Sequence, residues 1–182
     1  MKGVLALRNH MEAVFRVFET PFAPFSVAFD SNGTLIMASG FTSKMEEIGE
    51  LLPGLRMVRT GNGKVELASE AVQEYLECYF EGMPSATVTN LGPIPGGTDF
   101  QRTVWREINK IPFASTASYK QIADRIGRPN SFRATGTACG ANKLALFIPC
   151  HRVVHASGTM GNYRWDARLK ERLLRHEKSM SG

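Results

Sequence analysis

Residues 118–142 read SYKQIADRIGRPNSFRATGTACGAN. Ser118 stands where a side-chain cap belongs, ahead of a short helix from Tyr119 to Ile126 that Gly127 stops. After Arg128-Pro129, Asn130 or Ser131 caps a second helix that runs to about Gly140. Two short helices joined by a tight turn with glycine suggest a helix-turn-helix. Its second helix is unusual for a reader of the major groove. Residues 134–140 are all small, and Arg133 is the one long polar side chain before Lys143. Small residues such as Ala134 and Gly136 cannot reach base edges. They do permit close approach to a nucleic-acid backbone, a contact dominated by phosphates and shape. Close packing inside the protein is the alternative, and the two are compatible on different faces.

Downstream, residues 148–154 read Ile-Pro-Cys-His-Arg-Val-Val. A thiol here adjoins an imidazole and a guanidinium, both able to favour the nucleophilic thiolate. The apolar flanks, Leu144 to Ile148 and Val153-Val154, place Cys150 at the end of a buried strand. Neighbours in a straight strand face opposite ways, so a Cys150–His151 couple needs either a bend at Pro149 or a bridging water. A third group would orient the imidazole, and Glu177 is a candidate that only the fold can deliver. Arg152 has a second reading, in which it serves the fold or a phosphate.

Ahead of the helix pair, Thr98 or Asp99 caps a helix through Asn109 whose apolar face is Phe100, Val104, Trp105 and Ile108. The stretch Leu91-Gly-Pro-Ile-Pro-Gly-Gly97 is a turn-rich linker and the best boundary, dividing the chain into domains 1–92 and 93–182. Upstream, strand-like runs between Val14 and Ala38 are separated by Thr20-Pro21 and by Asn32-Gly33, a hairpin signal. Helices are expected at Thr42–Leu52, with Thr42 or Ser43 as cap, and at Leu67–Phe80. The fold class is therefore α+β within the broad α/β group. A small N-terminal strand-and-helix domain precedes a mostly helical C-terminal domain with a winged helix-turn-helix.

The 182 residues, 43% hydrophobic, suit one or two globular cores. The chain shows no long apolar run and no charged-then-apolar leader, so neither a membrane span nor a signal peptide is expected. Three scattered cysteines exclude a disulfide framework and suit a reducing cytoplasm. The four histidines have no spacing that would build a zinc site with them, and neither metal nor other cofactor is expected. A net charge of +5 is compatible with a polyanionic partner.

Several of these residues together resemble one family. They are Gly97-Thr-Asp-Phe-Gln101, Val104-Trp105, Ile111-Pro112, Ser118-Tyr119, Arg133-Ala134, Gly136, Asn142, Ile148–Val154 and Gly161-Asn-Tyr163. The pattern, dense from about residue 96 to 178, is similar to the O6-alkylguanine-DNA alkyltransferases. The N-terminal region is similar only in outline. The resemblance implies a monomer that binds double-stranded DNA from the minor groove and rotates an alkylated guanine out of the stack. It further implies irreversible transfer of the alkyl group to Cys150, once per molecule, with O4-alkylthymine as a further candidate substrate. Arg133 would fill the gap in the stack and Tyr119 would help eject the base and donate a hydrogen bond to it. His151, through a water and backed by Glu177, would take the thiol proton, while Asn142 braces the turn. Ala134, Gly136, Lys143 and Arg128 would meet DNA. Val153, by its backbone carbonyl, Tyr163 and Trp165 would form the substrate pocket.

Three departures from the family's usual pattern stand out: Phe132, Phe113-Ala-Ser-Thr, and Arg164-Trp165-Asp166. Three other classes compete: a lesion-binding protein without a nucleophile, a helix-turn-helix regulator that senses alkylation, and a Cys-His hydrolase. Cys150 argues against the first, and the absence of a second regulatory segment against the next. The hydrolase would leave the basic small-residue helix unexplained.

Overall fold

The computed structural model describes residues 11–83 and 96–181. β1 (Glu12–Phe18), β2 (Phe25–Asp30), β3 (Ile36–Gly40) and β4 (Arg56–Val58) form one sheet in the order β3-β2-β1-β4. Neighbours are antiparallel except β1 with β4, which is parallel. The alternation along β1 explains the layering, because successive side chains leave opposite faces. Val14 and Phe18 enter the main core, whereas Ala13 and Phe15 join a second cluster with Ile48, Leu51 and Leu52. The expected hairpin turn lies between β2 and β3. There Asp30 Oδ1 accepts from the backbone of Thr34 and Leu35, and Gly33 has φ +66° against the backbone of Lys64 and Val65.

Two helix boundaries differ from expectation. α1 spans only Met45–Gly49, because Thr42 Oγ1 accepts from the amide of Lys44 and so closes a turn rather than capping a helix. α2 spans Gly63–Phe80 and starts ahead of Leu67, since the Asn62 side chain accepts from Lys64 and Val65 and caps it there. The expected linker at Leu91–Gly97 falls mostly outside the described residues.

The C-terminal part holds α3 (Asp99–Ile108), β5 (Ala117–Ser118), α4 (Tyr119–Arg125), α5 (Phe132–Gly140), β6 (Val153–Val154) and α6 (Ala167–Ser179). Thr98 with Gln101, and Ser118 with Gln121, form reciprocal capping boxes that fix the starts of α3 and α4. Neither Asn130 nor Ser131 caps α5; a 3₁₀ turn at Pro129–Ser131 leads straight into it. The indole of Trp105 donates to the carbonyl of Ala138 at 2.7 Å and ties α3 to α5. β5 and β6 pair in parallel as the small wing. The two parts meet where Ser39 of β3 receives Leu144, with the Ser39 amide donating to Lys143 O at 2.7 Å and its hydroxyl to Ala145 O at 3.0 Å. No helix among the described residues is long and apolar enough to cross a membrane.

Candidate active site

Residues 144–149 are all buried, as their composition predicts, but they do not form a strand. A single bridge to Ser39 is their only sheet-like contact among the described residues. Leu146 has φ +63°, and local bonds from Phe147 to Ala145 and from Ile148 to Leu144 turn the chain instead. Pro149 then leads Cys150 into a 3₁₀ turn, Cys150–Arg152. The bend does not join the two side chains directly: Cys150 turns to an open cavity while His151 turns inward and is fully buried, with no bond between them among the described residues.

Asn142, at the end of α5, stitches the turn. Its Nδ2 donates to Ile148 O at 3.0 Å and to Cys150 Sγ at 3.1 Å, and its Oδ1 accepts from the amide of Leu144. His151 Nε2 lies 2.7 Å from Glu177 Oε1, and Glu177 is itself fully buried on α6. If Nε2 carries the proton that Glu177 accepts, Nδ1 presents a lone pair. That Nδ1 is buried and has no partner among the described residues. Glu177 also takes Arg152 Nε at 3.0–3.1 Å, Arg152 Nη2 at 3.0 Å and the amide of Ala114 at 3.0 Å.

Charge follows from this geometry. Burial works to raise the Glu177 pKa, but the donors from His151 and Arg152 outweigh it and pull the carboxyl down to about 2. Burial lowers the pKa of His151, with Glu177 opposing, so the imidazole rests neutral. Burial pushes the Cys150 thiol up, against the pull of Asn142 and Lys170. The sequence expectation that Arg152 favours a thiolate is thereby corrected. Its guanidinium is spent on Glu177 and on Ile111 O, 2.8 Å away, so it serves the fold.

The cavity, about 730 Å³, brings together Cys150, Asn142, Tyr119, Arg133, Gly136, Tyr163 and Trp165. Tyr119 at the start of α4 and Arg133 and Gly136 on α5 form the helix-turn-helix side of it. Burial raises the Tyr119 pKa, which keeps its phenol a donor. Trp165 rests on Gly40 of β3 so closely that a Cβ there would lie 1.9 Å from its ring. Ala134 and Arg128 are exposed outside the cavity, and Lys143 is half-buried beside it. Val153 departs from the expected pocket. Its side chain is wholly in the core, and its carbonyl accepts from Lys170 Nζ at 2.7 Å.

Sequence reasoning missed four residues. Lys170, 1% exposed, also donates to Met160 O; its spacing from Leu173 and Glu177 on one helical face was the available signal. Cys139 lines the cavity, its pKa raised by burial to about 12. His155 packs on Tyr119 with ring centroids 5.3 Å apart. Tyr79, buried on α2, donates to Glu177 Oε1 at 2.8 Å. No local signal could have shown that contact.

Residues 99–179 match the family described as 6-O-methylguanine DNA methyltransferase, DNA binding domain. A methylated-DNA–protein-cysteine methyltransferase of Saccharomyces cerevisiae is 40% identical over 65% of this chain, and the match spans 63% of that relative. One of Salmonella typhimurium is 35% identical over 87% of this chain and 91% of its own. Among solved structures, the O6-methylguanine methyltransferase of Mycobacterium tuberculosis aligns with a TM-score of 0.71 and 31% identity over 93% of this chain and 95% of that one. The same organism's OGT in complex with DNA gives 0.69 and 29%, over 91% and 93%. By the length and identity of these matches, and by a buried His-Glu pair behind a cavity cysteine and a helix-turn-helix, the chain belongs to the methylated-DNA–protein-cysteine methyltransferase family.

Proposed function

We propose that this protein repairs DNA by taking the alkyl group of an O6-alkylguanine onto Cys150, once per molecule. One observation carries the reading: the thiol and the exposed side of the helix-turn-helix share a single cavity. A base inside the duplex cannot present its O6 substituent to that thiol, so the nucleotide must leave the stack, at a cost of a few kcal/mol that is least for a damaged pair. Arg133 is exposed on α5 at the cavity and suits the role of filling the gap, because a planar guanidinium replaces part of the lost stacking. Ala134 and Gly136 allow close approach to the backbone, with Lys143 and Arg128 as phosphate contacts.

The resting thiol is protonated, so ionisation belongs to the reaction. The proton passes by way of a water to His151 Nδ1, and Glu177 stabilises the imidazolium that results. The sulfur–carbon bond forms as the carbon–O6 bond breaks. The electron pair stays with guanine, and Tyr119 donates to the departing base. The product thioether has no neighbour able to reverse it among the described residues. Tyr163 and Trp165 wall the space for the alkyl group. O4-alkylthymine offers the same bond in a smaller base and is a further candidate substrate. We further read domains 1–92 and 93–182, a monomer, and a cytoplasmic, nucleoid-associated location.

Intact-protein mass spectrometry after incubation with methylated duplex tests the proposal. The expected result is one methylene mass on Cys150 and none on Cys150→Ser, which still binds DNA. No adduct, or multiple turnovers, would overturn it.

A further inference from the structure

We propose that Tyr79 belongs to the proton relay as a positioning residue: α2 reaches across from the N-terminal sheet to limit how strongly Glu177 draws on His151. The thiol thereby stays protonated until a substrate is seated. The inference rests on reading Cys150 as the acceptor and assigns the N-terminal part a share in its chemistry.

The geometry at one oxygen carries it. Glu177 Oε1 accepts from His151 Nε2 at 2.7 Å and from Tyr79 Oη at 2.8 Å. A carboxylate offers about four lone-pair sites. Arg152 and the amide of Ala114 already engage both oxygens and hold them in place. The Tyr79 hydroxyl is therefore surplus to satisfying or fixing the carboxylate, and a phenylalanine would fill the same core space. What the hydroxyl does is compete with His151 for electron density on Oε1. The ring cannot swing aside. It stands edge-on to Phe80 at 5.0 Å, to Phe113 at 5.8 Å and to His151 at 6.5 Å between centroids. Burial and the neighbouring Glu177 raise the Tyr79 pKa well above its ordinary value, so it remains a donor.

The other groups facing this pair leave the sign intact. Tyr75, one turn back on α2, is neutral with its pKa raised by burial. Arg152 from the turn and Lys170 from α6 both oppose a charged His151. His176 of α6 meets Tyr79 on the far side, its Nε2 3.3 Å from the Tyr79 carbonyl. Removing the Tyr79 hydroxyl makes Glu177 a stronger acceptor and His151 a stronger base, and the thiol ionises more readily. For an acceptor used once, a quiet resting thiol avoids loss to soluble electrophiles.

The test follows carbamidomethylation of Cys150 by iodoacetamide against pH in the full chain, read by peptide mass spectrometry. Iodide leaves as the sulfur–carbon bond forms, so the rate reports thiolate. In Tyr79→Phe the rising limb of the profile should move down by about half to one pH unit, so that labelling at a fixed pH on that limb runs about three- to tenfold faster. A limb at the wild-type position, or one moved up with slower labelling, would overturn the proposal. Faster reaction with an unmoved limb and a parallel rise at buried Cys139 would mark loosened packing and overturn it equally. Tyr79→Leu, which also loses the ring, should show the same limb shift; a limb left at the wild-type position would count against the proposal. Iodoacetamide needs no DNA. A wild-type protein that leaves methylated duplex untouched would sink the repair reading while this profile still decides Tyr79.

Discussion

Glu177→Gln tests the centre of the site through stability as well as chemistry. The carboxyl is fully buried and titrates at about 2 instead of its ordinary 4.5. At about 1.36 kcal/mol per pH unit, that difference makes the ionised form worth about 3 kcal/mol to the fold. Because the folded pKa lies below the unfolded one, this contribution is complete above 4.5 and is lost as pH falls toward 2. His151 adds an earlier step of the same sign. Its pKa is lowered by burial, so the unfolded chain takes up a proton first as pH drops below 6.5. Wild-type melting temperature should therefore decline gently below pH 6.5 and steeply below 4.5. Glutamine keeps the shape but leaves Arg152 without its counter-charge in a buried place, a change that costs about 3–5 kcal/mol. At about 2–4 °C per kcal/mol for a chain of this size, the variant should melt about 10 °C lower at neutral pH. Its curve should then converge with the wild type in acid, and alkyl transfer should slow about a hundredfold or more. Differential scanning calorimetry across pH is the assay. A variant melting within about 2 °C of wild type at neutral pH, less than one kcal/mol at that conversion, or a wild type indifferent to acid, would mean that the Glu177 charge does not hold this site together.

Arg133→Ala should slow repair of duplex DNA about tenfold or more relative to reaction with free O6-benzylguanine, which needs no flipping; equal losses would place Arg133 in the chemistry. Lys170→Met removes the donor to Val153 O and Met160 O and the charge that favours thiolate at Cys150. It should slow iodoacetamide labelling of Cys150 and lower the melting temperature by about 5 °C, and faster labelling would contradict this. Trp165→Gly should raise the benzylguanine-to-methylguanine rate ratio about tenfold, if its ring narrows the cavity by an overpacking cost of about 1–3 kcal/mol. An unchanged ratio with a lower melting temperature would make Trp165 purely structural.

The legible parts of the fold were those whose determinants are neighbours in sequence. Of the caps expected at Thr98 or Asp99 and at Ser118, Thr98 and Ser118 form theirs, each within four residues of the amide it binds. Asn62 escapes a sequence reading because Gly63 directly after it disfavours a helix, although its side chain caps two amides. Residues 144–148 share the apolar composition of a strand. What bends them is a local set of turns with one positive φ at Leu146, which composition does not encode. At the site, Cys150, His151 and Glu177 came from chemistry and resemblance, and the fold unites His151 with Glu177 across 26 residues of chain. Arg152 shows the limit. Adjacency to a thiol says nothing of direction, and one 3₁₀ turn sends its guanidinium to the carboxylate behind His151 rather than to the sulfur.

Trp165 stands where the two parts of the chain meet the cavity. As a sequence feature it is a large ring beside Tyr163, and it suggests a wall for the alkyl group. In the structure it does line the cavity, but it also packs against both apolar clusters. Its outer edge is set by Gly40, the last residue of β3, where any side chain would collide with it. One residue before Gly40, Ser39 clasps the segment that leads to Cys150. The end of β3 thus fixes the cavity twice, through the backbone approaching the thiol and through the aromatic wall. α2 adds a third link in the Tyr79–Glu177 bond. A helix-turn-helix and a thiol could be held by the C-terminal helices alone. Here the aromatic wall and the backbone approaching the thiol rest on β3, and the carboxylate behind His151 is bonded from α2.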